Sequence, residues 1–434
     1  VKAISGGRGA KTANLTLNRA TNTPRQPGST FKVISAFAPA LDTCGATLGT
    51  VYYDSIYSVG NKTFNNWYGQ KYTGYSSIRD GIIYSMNIVA VRCLMETVSP
   101  QLGLEYAENF GITTLTSQDL GASQALGGLT HGTTNLELTS AYAAIANEGI
   151  YTRPVFFTKI LDHDGKILIN NEPETHRVLK DSTAFLLTDA MAGSMETNRK
   201  FGSSINSTSA RANIPGMSNA GKSGTTSKNN DIWFVGYTPY YTAGIWAGCD
   251  NNQKLTAQNG GTSFHKNIWR NIMTRVHENL TDTGFPVPDS IETAQICRKS
   301  GKLAIPGVCS EDPRGNAVYT EYFAKGTVPT QVCDHHVAIT VCGESGGLPT
   351  EFCPLESRHS RTVLVTPEGE SGGTDDSRYA MPGPCTVHTQ SAVVLPSENE
   401  TAAPDNETVP ETTAPFIPSS PLDDIYIPVG PGYM

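Results

Sequence analysis

No run of 18 apolar residues occurs in the 434-residue chain, which excludes a membrane-spanning helix within it. An excess of basic residues is also missing: 32 Lys and Arg face 40 Asp and Glu, a formal net charge of -8. Much of that charge sits at one end. Glu398, Glu400, Asp405, Glu407, Glu411, Asp423 and Asp424 lie beyond residue 388, where there is no Lys or Arg. The body is therefore close to neutral and gives no support to a nucleic-acid or anionic-membrane partner. An initial Met and a signal-peptide pattern are absent too. Val1-Lys2-Ala3-Ile4-Ser5, followed by Gly6-Gly7-Arg8, reads as the end of a strand entering a turn, so the chain is expected to be a fragment with a domain and any anchor upstream. Cysteine is sparse before residue 297: Cys44, Cys93 and Cys249 are scattered in apolar segments and read as core residues.

Apolar residues make up 38% of the chain, enough for a real core, and the length predicts a main domain of about 250 to 300 residues plus a smaller one. The division expected is 1–285, a cysteine-rich region 286–388, and a Pro-, Thr- and Glu-rich tail 389–434. The tail has eight prolines and little to bury, so it is expected to be disordered.

Three polar clusters carry the candidate chemistry. In Arg25-Gln26-Pro27-Gly28-Ser29-Thr30-Phe31-Lys32, a Pro-Gly turn precedes apolar residues at helical spacing (Phe31, Ile34, Ala38), and Pro39 is expected to end the helix. Side chains three apart share a helix face, so Ser29 and Lys32 can meet. An amine in an apolar pocket has its pKa lowered and can take the proton of a serine nucleophile. Ser85-Met86-Asn87 lies between two helical segments and can project two polar side chains into one cleft. In isolation a helix cap by Ser85 or Asn87 is the plainer reading. The third cluster, Gly221-Lys222-Ser223-Gly224-Thr225-Thr226, opens an antiparallel meander through Asp231–Tyr237 and Thr242–Gly248. Its glycines allow a ligand backbone to approach and pair with the strand.

In this order, Ser-x-x-Lys, Ser-x-Asn and Lys-Ser-Gly-Thr match the motif set of penicillin-binding proteins and serine β-lactamases. With Gly127-Gly128, Ser140-Ala141-Tyr142, Asn147-Glu148-Gly149 and Asp231–Pro239, residues 1 to about 275 resemble the transpeptidase domain of class A penicillin-binding proteins. The resemblance implies an α/β (α+β) fold: an antiparallel sheet of about five strands flanked by helices, a helical subdomain, and a site between them. It implies Ser29 as the nucleophile toward D-Ala-D-Ala stem peptides of peptidoglycan, Lys32 as proton acceptor, Ser85 as proton relay, and Asn87 as a donor to the substrate backbone. It further implies that Lys222, Ser223, Gly224, Thr225 and Thr226 form the substrate strand, with Thr225 and Thr226 toward the terminal carboxylate. The backbone N–H groups of Ser29 and Thr225 match the family's oxyanion hole. β-Lactams would acylate the same serine. No metal or organic cofactor is needed for that chemistry.

The resemblance places the domain on the outer face of the bacterial membrane, with a glycosyltransferase domain and anchor upstream. Rival readings are a D,D-carboxypeptidase or β-lactamase-type hydrolase, and a non-catalytic β-lactam sensor or wall-binding module. No Glu-x-x-Leu-Asn stretch of class A β-lactamases is present. Met195-Glu196-Thr197-Asn198-Arg199-Lys200 and the Ser-rich stretch after it depart from the family pattern.

Of the remaining six cysteines, two pairs sit in an internal repeat. Cys297-Arg298-Lys299-Ser300-Gly301-Lys302-Leu303 leads to Cys309, and Cys342-Gly343-Glu344-Ser345-Gly346-Gly347-Leu348 leads to Cys353. Outside the cytoplasm this suggests two disulfide-closed loops, each contributing about 3 kcal/mol in the chain-entropy model, with Cys333–Cys385 as a third. Free thiols, or a metal bound by Cys333, His335 and His336, are the alternatives. That Cys-x-His-His spacing matches no common zinc pattern.

Overall fold

The computed structural model describes residues 1–389 except 8, 11, 12, 260 and 369–372. Arg8 and the predicted tail, from 390 onward, lie outside the described residues.

The meander folds as expected into an antiparallel sheet in the order Thr242–Gly248, Asp231–Tyr237, Ala220–Thr225. Asp231–Tyr237 is central and buried along its whole length, because both faces carry helices. Asn135–Ala146 and Asp181–Met195 pack toward one core, which also takes Phe31, Phe37, Ile78 and Val89. Phe264–Val276 covers the other side, and its Trp269 stacks edge-on against Phe234 at 5.0 Å. Among the described residues three strands stand in this sheet where the resemblance implied about five. Val1–Ser5 forms no strand; the amino terminus donates to the Val155 carbonyl instead.

Local rules account for the helix ends. Thr134 and Glu137 close a capping box at the start of Asn135–Ala146, and Gly149, at φ +83°, stops it. Pro39 does not end the nucleophile helix. A 3-10 turn at Gly28–Thr30 runs into a π-helical segment, Val33–Phe37, and Ala38–Asp42 continues with Pro39 in its first turn. The wider π turn passes the residue that lacks an N–H without breaking the run.

Beyond this body stand two antiparallel hairpins, Ile291–Cys297 with Val318–Ala324 and His336–Cys342 with Arg358–Leu364. They realise the internal repeat. All nine cysteines are free, so the expected disulfides are not formed. Three cysteines gather in each module, and Cys333 and Cys385 fall in different ones.

Candidate active site

Four separate segments converge where the Gly28–Thr30 turn meets the Ala220–Thr225 strand. The approach is backbone to backbone. A Cβ on Gly224 would lie 2.4 Å from the Pro27 carbonyl oxygen, and one on Gly127 would lie 2.4 Å from that of Gly28. Glycine is required at both positions for the segments to close. Gly28, at φ +57°, turns the chain so that its backbone abuts that of Thr225. The turn is then anchored from outside. Leu129 N–H donates to Gln26 Oε1 at 2.8 Å, Trp233 Nε1 donates to the Gln26 carbonyl at 2.7 Å, and the Tyr142 hydroxyl donates to the Thr30 carbonyl at 2.8 Å.

Ser29 is half-buried on this turn, and Lys32, one helical step on, is fully buried. Lys32 Nζ donates to the Ser85 carbonyl at 2.6 Å and to Asn87 Oδ1 at 2.7 Å, and lies 3.4 Å from Ser85 Oγ. From the opposite side Lys222 Nζ donates to Ser85 Oγ at 2.8 Å and to the Ser223 carbonyl at 3.1 Å. One hydroxyl thus stands between two buried amines. Burial pushes the Lys32 pKa well down, and the neighbouring Lys222 charge adds to the effect. Burial, with the Lys266 charge, lowers Lys222 to about 7.

Ser85 sits at φ +54°, a left-handed conformation that is strained for serine, and it directs both its carbonyl and its hydroxyl at the lysines. The cap reading of this motif fails. Met86 occupies the N-cap position of Asn87–Arg92 without a side-chain bond, and Asn66 Oδ1 accepts from the N–H groups of Asn87 and Ile88. Asn87 is thereby free to hold Lys32, while its Nδ2 donates to the Asn65 carbonyl at 2.8 Å. Trp67 Nε1 donates to the Tyr84 carbonyl at 2.9 Å, and Asp54 anchors both Asn66 and Thr73.

Asn65, Asn66, Trp67 and Asp54 are therefore the supporting residues that sequence reasoning missed. The only signal was Asn-Asn-Trp inside an aromatic, turn-rich stretch.

The structure divides the predicted substrate strand. Gly224 abuts the Gly28–Thr30 turn, Lys222 reaches Ser85, Ser223 is buried in the sheet opposite Phe234, and Thr225 is exposed at the strand end. Thr226 is different: its Oγ1 accepts from the N–H groups of Asn230 and Asp231, closing the hairpin. With the hydroxyl also 3.5 Å from the Asp231 carbonyl, Thr226 is tied into the hairpin turn. The atypical stretch after Met195 lies along the end of Ile78–Ile83, with Lys200 Nζ on Asp80 at 2.9 Å and Thr208 N–H on the Ile83 carbonyl.

The site thus joins a helix-flanked antiparallel sheet, a serine–lysine turn laid against its edge and a second serine held between two lysines. Comparison with known proteins gives the family. A family profile described as "Penicillin binding protein transpeptidase domain" matches residues 4–274, and one described as "Penicillin-binding protein 1A, C-terminal domain" matches residues 287–338. The chain belongs to the penicillin-binding protein transpeptidase family. It is 35% identical over 376 residues to "Penicillin-binding protein 1A" of Clostridium botulinum strain Hall, covering 84% of this chain and 44% of that protein. It is 30% identical over 353 residues to "Penicillin-binding protein 1A/1B" of Bacillus subtilis strain 168, covering 76% and 36%. Among solved structures, penicillin-binding protein 1A from Haemophilus influenzae matches with a TM-score of 0.61 at 25% identity, over 73% of this chain and 50% of that one. The chain thus spans less than half the length of these curated relatives. Among the described residues no helix is long and apolar enough to cross a membrane.

Proposed function

We propose that this chain supplies the D,D-transpeptidase activity of a bifunctional penicillin-binding protein, through a serine acyl-enzyme. The observation that carries the reading is the Ser85 hydroxyl held between Lys32 and Lys222. A neutral amine has two N–H donors and one lone pair. Both Lys32 donors are occupied, by the Ser85 carbonyl and Asn87 Oδ1, and the lone pair is left for a hydroxyl proton. Burial disfavours the charged form of Lys32, which suits it to take the proton of Ser29.

Ser29 Oγ then attacks the carbonyl between the two D-Ala residues of a stem peptide. The backbone N–H groups of Ser29 and Thr225 stabilise the oxyanion, and such preorganised donors are worth about 3 kcal/mol each. The C–N bond breaks, and the departing D-Ala nitrogen takes a proton through Ser85, which Lys32 and Lys222 resupply. Lys222 and Thr225 attract the terminal carboxylate, Ser223 and Gly224 line up the peptide on the strand, and Asn87 contacts its backbone. An amine of a second stem peptide attacks the ester, its proton returns through Lys32, and Ser29 is regenerated with a cross-link formed. A β-lactam acylates Ser29 in the same manner.

The same reading includes an upstream glycosyltransferase domain and membrane anchor, action on the outer face of the membrane, and a division of this chain at 285 and 388 into catalytic, cysteine-rich and tail parts. The test is intact-protein mass after incubation with a fluorescent penicillin. One covalent adduct on the wild type and none on Ser29→Ala is expected. An adduct that survives Ser29→Ala, or none on folded wild type, sinks the acyl-serine assignment and favours the wall-binding alternative.

A further inference from the structure

Each cysteine module brings a fourth ligand-type residue to its three sulfurs. Cys297, Cys309, Cys333 and His336 form one cluster, and Cys342, Cys353, Cys385 and His388 form the other. In each, all four ligand atoms lie within 4.8 Å of one another. The two are built alike. The first cysteine ends the first strand of a hairpin and closes a Ser-Gly turn, with Gly301 N–H on the Cys297 carbonyl and Gly346 N–H on that of Cys342. The third cysteine is bound back to the leucine after that turn: Cys333 N–H donates to Leu303 and Cys385 N–H to Leu348, both at 2.8 Å. The histidine follows three residues later, in Cys-x-x-His spacing both times.

We propose that these are two structural zinc sites of Cys3His type. A tetrahedral zinc with Zn–S about 2.3 Å and Zn–N about 2.0 Å sets sulfur-to-nitrogen edges of about 3.5 Å. The observed edges agree. His336 Nδ1 lies 3.2 and 3.6 Å from the sulfurs of Cys297 and Cys333, and His388 Nδ1 lies 3.4 and 3.7 Å from those of Cys342 and Cys385. In both modules the other ring nitrogen meets a carboxylate: His336 Nε2 is 2.8 Å from Asp312 Oδ2 and His388 Nε2 is 3.4 Å from Glu344 Oε1. A carboxylate behind a histidine fixes the tautomer that turns its free nitrogen to a metal. Backbone N–H groups of Lys299, Ile305, Thr350 and His388 donate to the sulfurs of Cys297, Cys309, Cys353 and Cys385, each at 3.3 Å, an arrangement that favours thiolates.

Disulfides fit this arrangement poorly. An odd number of thiols in each cluster leaves one over, whereas zinc uses all three with the histidine. On binding, the three thiols release their protons to solvent and the site closes with no open position. The ions therefore hold hairpins together and take no part in chemistry at Ser29.

The test is zinc content of the tag-free chain, purified without chelator or reductant, with disulfide mapping of the same sample. Two zinc ions per chain are expected, falling to one in Cys309→Ser and to one in Cys353→Ser. His388→Ala, at the rim of its module, is the milder variant should the cysteine changes prevent folding, and it also loses one ion. Cobalt substituted for zinc is expected to show thiolate charge-transfer absorption and tetrahedral d–d bands. Fewer than two ions, together with Cys297–Cys309 and Cys342–Cys353 linked peptides or metal-free thiols, overturns the proposal. Penicillin acylation plays no part in this readout.

Discussion

The catalytic cleft and the hairpin region treat buried cations in opposite ways. In the cleft, Lys32 and Lys222 are fully buried and meet hydroxyl, amide and carbonyl oxygens. Around the hairpins, buried cations meet carboxylates. Arg79 bonds Asp189 and Glu321, Lys299 bonds Asp376 at 2.8 Å, and Arg314 bonds both Asp312 and Asp376. Asp376 also accepts from Tyr75 N–H at 2.7 Å, which ties the hairpin region to the body. Pairing keeps charges in place and makes a fastening. An unpaired buried amine gives up its proton readily, which is useless as a fastening and necessary for a base.

The contrast is tested most severely by swapping the consequences. Lys32→Met should slow penicillin acylation by a factor of about 10² to 10⁴, the usual worth of a positioned base. It should also leave the melting temperature unchanged or raised, because a desolvated amine is removed. A fall in both acylation and stability would show that Lys32 is a fastening after all. Asp376→Ala should do the reverse. Leaving Lys299 and Arg314 buried without their partner is expected to cost about 3 to 5 kcal/mol by denaturant unfolding, with acylation per folded molecule retained.

A pH series sharpens the same point. Lys222 is lowered to about 7 in the fold by burial, from 10.5 when unfolded, so the unfolded chain binds more protons between those values. The penalty is complete below about pH 7 and fades as pH rises toward 10.5. Unfolding free energy of the wild type relative to Lys222→Met should therefore climb across that window. A flat difference would mean that Lys222 keeps its proton in the fold.

The smallest effect separates the two threonines. Thr226→Ala should lose about 1 kcal/mol of stability through the hairpin turn and keep acylation. Thr225→Ala should keep stability and weaken β-lactam acylation, and equal acylation by both variants would return Thr226 to the substrate site.

Legibility followed the range of the interactions. The single helical run that carries both Ser29 and Lys32 was readable because helical spacing is local, and the helix Asn135–Ala146 was readable because its capping box and stop glycine are its own neighbours. The support of Ser85 and Asn87 was not, since Asn66 and Trp67 reach them from a separate loop through side-chain bonds that leave no periodic trace. Pro39 misled because a proline stops an α-helix but not one widened into a π turn.

The cysteines show the limit most directly. Loop length alone pairs Cys297 with Cys309. The short parallel bridge between Leu303 and Val332 is what carries Cys333 and His336 to the same place.

By itself, then, the sequence determined which residues were available for acyl-serine chemistry and in what order, since motif spacing and binary pattern are properties of neighbours along the chain. Only the tertiary structure decided which amines are desolvated, which hydroxyl stands between them, and which thiols share a histidine. Those outcomes depend on distances and burial between segments that are far apart in the chain.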